Sequence, residues 1–129
     1  DVDYFKKYND FYGHQEGDKC LRKVAQIISC VAYRSGDIVA RYGGEEFAVV
    51  LSNVDETGAR EVADRLLKQV RDERIPHKGS EIGEIVTISI GCAAMIPVVG
   101  GSVEDLIKRA DDSLYASKKA GRDRVSCPL

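Results

Sequence analysis

Residues 41–47 read Arg-Tyr-Gly-Gly-Glu-Glu-Phe, and the glycines separate two apolar runs, Ile38 to Tyr42 and Phe47 to Leu51. Gly43 and Gly44 suit a two-residue turn that needs positive φ. Glu45 and Glu46 follow side by side, where like charges repel and one Asn or Asp would build the turn more easily. Two readings are open: solvated decoration of a hairpin tip, or a site for something positive. Asp1 offers a further carboxylate. If Asp1 ends a strand beside the hairpin, its carboxylate and that of Glu45 make a site for Mg²⁺, which takes one or two protein carboxylates plus substrate phosphates. Without a cation the two would repel.

The elements that must bring these groups together are legible in part. Leu21, Val24, Ile28 and Val31 repeat at helical spacing within 18–34, with Asp18 as N-cap and Gly36 as stop signal. The hairpin spans 38–42 and 46–51; both faces of its second strand are apolar (Phe47, Val49 and Leu51 against Ala48 and Val50), which predicts a strand covered on both sides. A second helix runs over about 55–73, with a stripe of Ala59, Val62, Ala63, Leu66 and Val70, and residues 76–83 read as a loop. Val86, Ile88 and Ile90 alternate with Thr87 and Ser89 in strand fashion. A third helix follows, opened by a capping box at Ser102 and Asp105 and stopped at Gly121. Asp123 to Cys127 form a short edge strand. The order, (missing strand)-α-β-β-α-β-α-β, is that of an α+β sandwich of the ferredoxin-like kind, with the first strand largely missing before Asp1. Residues 1–3 would be the end of that strand, and the chain a piece of something longer.

Composition narrows the function classes. The 129 residues, 43% hydrophobic and 31% charged, predict one soluble domain. A net charge of −2 offers no general attraction for nucleic acid or anionic membrane, so an anionic ligand must be held by local donors. No apolar run reaches the roughly 18 residues of a membrane span. The cysteines at 20, 30, 92 and 127 have no metal-site spacing and read as reduced thiols, three of them in apolar surroundings, which fits a cytoplasmic domain.

Taken together, Asp-Val-Asp-Tyr-Phe-Lys-Lys-Tyr-Asn-Asp at the start, the Arg-Tyr-Gly-Gly-Glu-Glu-Phe turn, Val-Thr-Ile-Ser-Ile-Gly at 86–91 and the block from Leu106 to Val125 resemble the GGDEF domain of diguanylate cyclases. The resemblance covers nearly the whole chain; the family's upstream helix and most of its first strand have no counterpart. It implies a nucleotide-cyclase palm-type sandwich that joins two GTP into cyclic di-GMP and releases two pyrophosphates, with Mg²⁺ or Mn²⁺ as cofactor and two protomers each holding one GTP. By matched position, Asp1, the Val2 carbonyl and Glu45 are metal ligands, and Glu46 acts near the attacking hydroxyl. Gly43 and Gly44 admit the phosphates. Asn9 and Asp18 read guanine. Lys6, on the loop after the first strand, and Lys118 and Arg122, at the end of the last helix, bind phosphates. Arg34 and Asp37 match an R-x-x-D inhibitory site for cyclic di-GMP, with Arg65 as a secondary contact. The resemblance also implies an upstream sensor or receiver domain in the parent protein, and no nucleic-acid or membrane partner.

Plainer readings stand beside these. Asp3 is a helix N-cap, His14 a structural hydrogen-bonder in a loop, and His77 has no identifiable role. The aromatic residues at 4, 5, 8, 11 and 12 serve helix packing. The alternative functions are a catalytically weak receptor for GTP or cyclic di-GMP, or another palm-fold phosphoryl-transfer enzyme such as a purine nucleotide cyclase or polymerase.

Overall fold

A computed structural model of the chain describes residues 1–128. Helices α1 (Phe5–Tyr12) and α2 (His14–Val31) lead into the hairpin β1 (Ile38–Gly43) and β2 (Glu46–Val50). Helix α3 (Glu56–Glu73), the short strand β3 (Ile90–Gly91), α4 (Val103–Lys119) and β4 (Val125–Ser126) complete the order.

Residues 1–3 lie at the centre. The Val2 N–H donates to the Glu45 carbonyl (3.3 Å), Asp3 N–H to Thr87 O (3.0 Å) and Ser89 N–H to Asp1 O (2.9 Å). From the other edge of 85–91, Val86 N–H bonds Ile75 O (2.8 Å) and Ile90 N–H bonds Arg124 O (2.9 Å). Main-chain groups of successive residues in a strand face opposite edges. The odd positions 87 and 89 therefore face the N-terminal segment, and the even positions face 75 and 124. β1 and β2 pair antiparallel, with an irregularity between Arg41 and Gly43; β3 and β4 pair parallel. This is an α+β arrangement, as expected.

Apolar stripes place the core between sheet and helices. Leu21, Val24, Ile28 and Val31 of α2 meet Ala63, Leu66, Leu67 and Val70 of α3, with Val2, Val86, Ile88 and Val125 beneath. Asp55 caps α3 by accepting from Gly58 N–H (2.8 Å), and Ser102 caps α4 by accepting from Asp105 N–H (3.3 Å). Cys20 and Cys92 are buried, Cys127 is half-buried and Cys30 is exposed; all four are free thiols.

Four expectations are corrected. α2 begins at His14, so Asp18 sits inside the helix and caps nothing. The break at Gly13 (φ 89) separates α2 from α1, a helix whose bounds the sequence pattern did not give; its N-cap Tyr4 is left-handed (φ 53) and makes no side-chain cap bond. Asp3 is turned inward and does not cap that helix, and Lys6 lies on α1 rather than on a loop. The hairpin is covered on one side only: Val39, Phe47 and Val49 pack on the core, while Ile38, Tyr42 and Val50 are more than half exposed. Among the described residues no element covers that outer face, so an apolar second face marked exposure, not burial.

Candidate active site

The turn between β1 and β2 puts Gly44 in the left-handed region (φ 46), and a Cβ added at Gly43 or Gly44 would meet nothing within 4 Å. Their backbone is open to a ligand. The next carbonyl, Glu45 O, receives Val2 N–H, so the carboxylate-bearing corner of the hairpin abuts residues 1 and 2. Asp1 is nearly enclosed, its side chain 7% exposed, and its Oδ2 accepts from Lys118 Nζ at 3.0 Å. The Asp1 nitrogen lies within electrostatic range of the Asp3, Glu46 and Glu45 carboxylates. The Val2 carbonyl accepts no hydrogen bond among the described residues.

Two carboxylates and one free carbonyl are an all-oxygen donor set, which suits Mg²⁺. No group of three or more His, Cys, Asp or Glu side chains among the described residues forms a ready-made cage. Mg²⁺ does not need one, since water and substrate phosphates supply its remaining positions. The residues present fit such an ion.

Cations stand beside this corner. Lys118 reaches it from the last turn of α4. Arg122 lies beyond the helix, in a left-handed turn (φ 66), contrary to the expectation that it ends the helix. Its guanidinium stacks on Tyr4, Cζ 4.4 Å from the ring centre, and Nη1 donates to the Tyr4 hydroxyl at 3.2 Å. Lys6 is exposed on α1.

Close packing of α1 on α2 sets Asn9 against Gly17, the residue before Asp18. A Cβ at Gly17 would fall 1.7 Å from Asn9 Oδ1, so only glycine admits the Asn9 amide there. That Oδ1 is buried without a hydrogen-bond partner, a cost that packed interiors seldom carry. Asp18, the next residue of α2, is exposed and lines a groove of about 410 Å³ with Arg22, Arg41 and Phe47.

Across the molecule, Arg34, Asp37 and Arg65 line one recess of about 210 Å³ between the α2–β1 connection and α3. Arg34 Nη2 donates to Ser52 O (3.0 Å) and Asp37 Oδ1 (3.4 Å), and its main-chain N–H donates to Asp37 Oδ2 (3.2 Å). Burial would raise the Asp37 carboxyl; the Arg34 hydrogen bond and charge, with main-chain donors from Ser52 and Arg34, outweigh it and hold the group below its ordinary range.

Comparison with known proteins decides the family. The family model described as "Diguanylate cyclase, GGDEF domain" matches residues 1–124. The chain belongs to the GGDEF family. Diguanylate cyclase A of Treponema denticola is 46% identical over 127 residues, covering 98% of this chain and 33% of its own length. Diguanylate cyclase DosC of Escherichia coli K12 is 38% identical over 125 residues, 97% of this chain and 26% of its own. This GGDEF domain thus spans between a quarter and a third of those relatives. The coiled coil and GGDEF domain of DgcB from Caulobacter crescentus, solved with c-di-GMP, superimposes with a TM-score of 0.86 at 35% identity, covering 99% of this chain and 66% of that one. The active GGEEF domain of a Vibrio cholerae diguanylate cyclase gives 0.83 at 30%, covering 98% and 78%. The palm-type fold of this GGDEF domain is thereby shown.

Sequence reasoning missed two buried residues of the GGDEF domain, Asp3 and His77, and one surface residue, Arg71. Asp3 is 1% exposed and accepts from Thr87 Oγ1 (2.8 Å), Ser89 Oγ (2.6 Å) and the Asp123 N–H (3.1 Å). His77 is fully buried, its Nε2 3.1 Å from Tyr4 O and its Nδ1 without a partner. Burial lowers its pKa, partly offset by the Tyr4 and Asp3 carbonyls. Arg71 binds Asp123 through both a carboxylate and a carbonyl oxygen. The polar pair Thr87 and Ser89 in an otherwise apolar strand was the one available signal for Asp3. His14 is an exposed first residue of α2 rather than a loop residue.

Proposed function

We propose that the chain is the catalytic domain of a diguanylate cyclase. Each of two protomers holds one GTP; the 3′-hydroxyl of each nucleotide attacks the α-phosphorus of the other, two P–O bonds form, and two pyrophosphates leave as cyclic di-GMP closes. The observation that carries the reading is the contact of residues 1 and 2 with the Glu45 corner, beside Lys118 and Arg122, in a chain of this family.

Asp1, Glu45 and the Val2 carbonyl would hold Mg²⁺ or Mn²⁺, which supplies charge neutralisation on the triphosphate when bound. The open backbone at Gly43 and Gly44 lets the phosphates approach. Lys118 and Arg122 supply positive charge to the β- and γ-phosphates and Lys6 a further phosphate contact, which this −2 chain needs locally. Glu46 accepts the proton of the attacking hydroxyl. Asn9 and Asp18 pair with the guanine edge, the carboxylate accepting from N1–H and the 2-amino group. As GTP is a cytosolic nucleotide, the domain would work in the cytoplasm, under an upstream sensor or receiver domain that brings protomers together. No helix among the described residues is long and apolar enough to cross a membrane.

Incubation with GTP and Mg²⁺, with product read by mass spectrometry, tests the proposal. Cyclic di-GMP from GTP, and no cyclic product from ATP, is the expected result; ATP turnover would favour another purine cyclase, and absence of product from a dimerised protein would leave a receptor.

A product-binding role for the second recess is supported by the shared pocket of Arg34, Asp37 and Arg65. Arginine forks can grip phosphate and guanine edges, and Asp37 can accept from guanine. Arg34→Ala should remove cyclic di-GMP binding in calorimetry while leaving GTP binding intact; unchanged product binding would refute this role.

A further inference from the structure

Three consecutive residues after α4 have positive φ: Gly121 (114), Arg122 (66) and Asp123 (47). Glycine enters that region freely, but an arginine and an aspartate in succession do not, and such conformations persist only where surroundings enforce them. Two groups from distant parts of the chain do the enforcing here. From below, the enclosed Asp3 carboxylate accepts the Asp123 N–H at 3.1 Å, while Thr87 and Ser89 occupy its other acceptor sites. From the flank, the Arg71 fork in the last turn of α3 donates Nε to Asp123 Oδ1 and Nη2 to Asp123 O, both at 2.8 Å. Among the described residues neither makes a hydrogen bond with Arg122. Both grip its neighbour, and the turn they define lays the Arg122 guanidinium on Tyr4 at the edge of the Asp1–Lys118 corner.

We propose that Asp3 and Arg71 are positioning residues for Arg122, clamping Asp123 from two sides so that the guanidinium is pre-set for an incoming triphosphate. The inference rests on the assignment of Arg122 to the phosphates made above. Pre-setting matters because a free arginine loses side-chain and main-chain freedom on binding, and a turn already ordered does not lose it again. Tyr4, itself left-handed, provides the flat surface on which the guanidinium rests.

Calorimetry with a non-hydrolysable GTP analogue and Mg²⁺ on the whole chain, alongside thermal melting, tests this. Arg122→Ala should weaken the analogue about tenfold, and Arg71→Ala roughly three- to tenfold. Arg71→Lys, which keeps charge without the fork, should fall between Arg71→Ala and the native protein. The double variant Arg71→Ala/Arg122→Ala should bind no worse than Arg122→Ala alone, because Arg71 then has nothing left to position. Additive losses in the double variant, or a lowered melting temperature with unchanged affinity in Arg71→Ala, would overturn the clamp. Asp3→Asn should repeat the loss; should it fail to fold, Arg71→Ala decides alone, since Arg71 is a partly exposed side chain outside the core. If Arg122→Ala itself leaves affinity unchanged, the phosphate assignment falls and the clamp with it. If Arg122→Ala weakens binding and Arg71→Ala does not, the clamp alone falls.

Discussion

Glu45 carries two duties on one residue. Its main-chain carbonyl holds Val2 in place, and its carboxylate is the proposed metal ligand. Glu45→Ala keeps the first and removes the second, so turnover should fall to under a tenth of the native rate with little change in melting temperature; steady-state kinetics beside a thermal melt checks both. His77 gives a residue-scale prediction about pH. Its folded pKa is lowered by burial, so the native state binds its proton less readily than the unfolded chain does. Its contribution to stability is therefore complete above the ordinary histidine value of about 6.5 and is lost as pH falls from there toward the folded pKa. Melting temperatures between pH 8 and pH 5 should decline on the acid side, and His77→Gln should flatten that decline; an unchanged slope would clear His77 of the effect.

At the scale of elements, the packing of α1 on α2 sets the position of Asn9, the proposed guanine reader. Gly17→Ala adds helix propensity worth up to about 1 kcal/mol. It also drives a methyl group into Asn9 Oδ1, with Asn9 Cγ and Phe5 Cζ close behind. Asn9 is the flexible partner and should swing away, so the two effects roughly cancel in stability. The expected result is a melting temperature within a few degrees of native and a loss of GTP affinity of about tenfold, consistent with one hydrogen bond to a charged or polar base edge. Native affinity in Gly17→Ala would mean that Asn9 does not touch the base. The hairpin teaches a related lesson. Its outer face is apolar and exposed at Ile38, Tyr42 and Val50, although alternation alone suggested a strand covered on both sides.

At the scale of the whole molecule, the proposed reaction needs two nucleotides facing each other, and one chain offers a single Glu45 corner. The domain alone should therefore turn over slowly at micromolar concentration. Fusion to a parallel coiled coil should raise the rate at least tenfold by raising the effective concentration of the second site. A rate per protomer that is fast and independent of concentration would contradict this. The recess of Arg34, Asp37 and Arg65 shares no lining residue with the Lys118 and Arg122 corner, so product binding proposed there leaves the phosphate cations free.

Much of this was determined by sequence alone. Apolar spacing marked α3 and most of α2, because burial of one face leaves a periodic trace; capping and stop residues marked α4, and the glycine pair marked the hairpin. The resemblance of four motif blocks to the GGDEF family named the candidate residues. Tertiary structure decided the rest. α1 has no side-chain cap bond and begins after a left-handed tyrosine, so its bounds were not legible. Asp3 reads like a helix cap, yet its carboxylate is claimed by Thr87 and Ser89, 84 and 86 residues away. Arg71 and Asp123 look like ordinary surface charges until the fold sets them 2.8 Å apart. Local patterns record what each segment does with its own neighbours. A buried carboxylate and a strained turn take their meaning from partners that only the folded chain brings within hydrogen-bond reach.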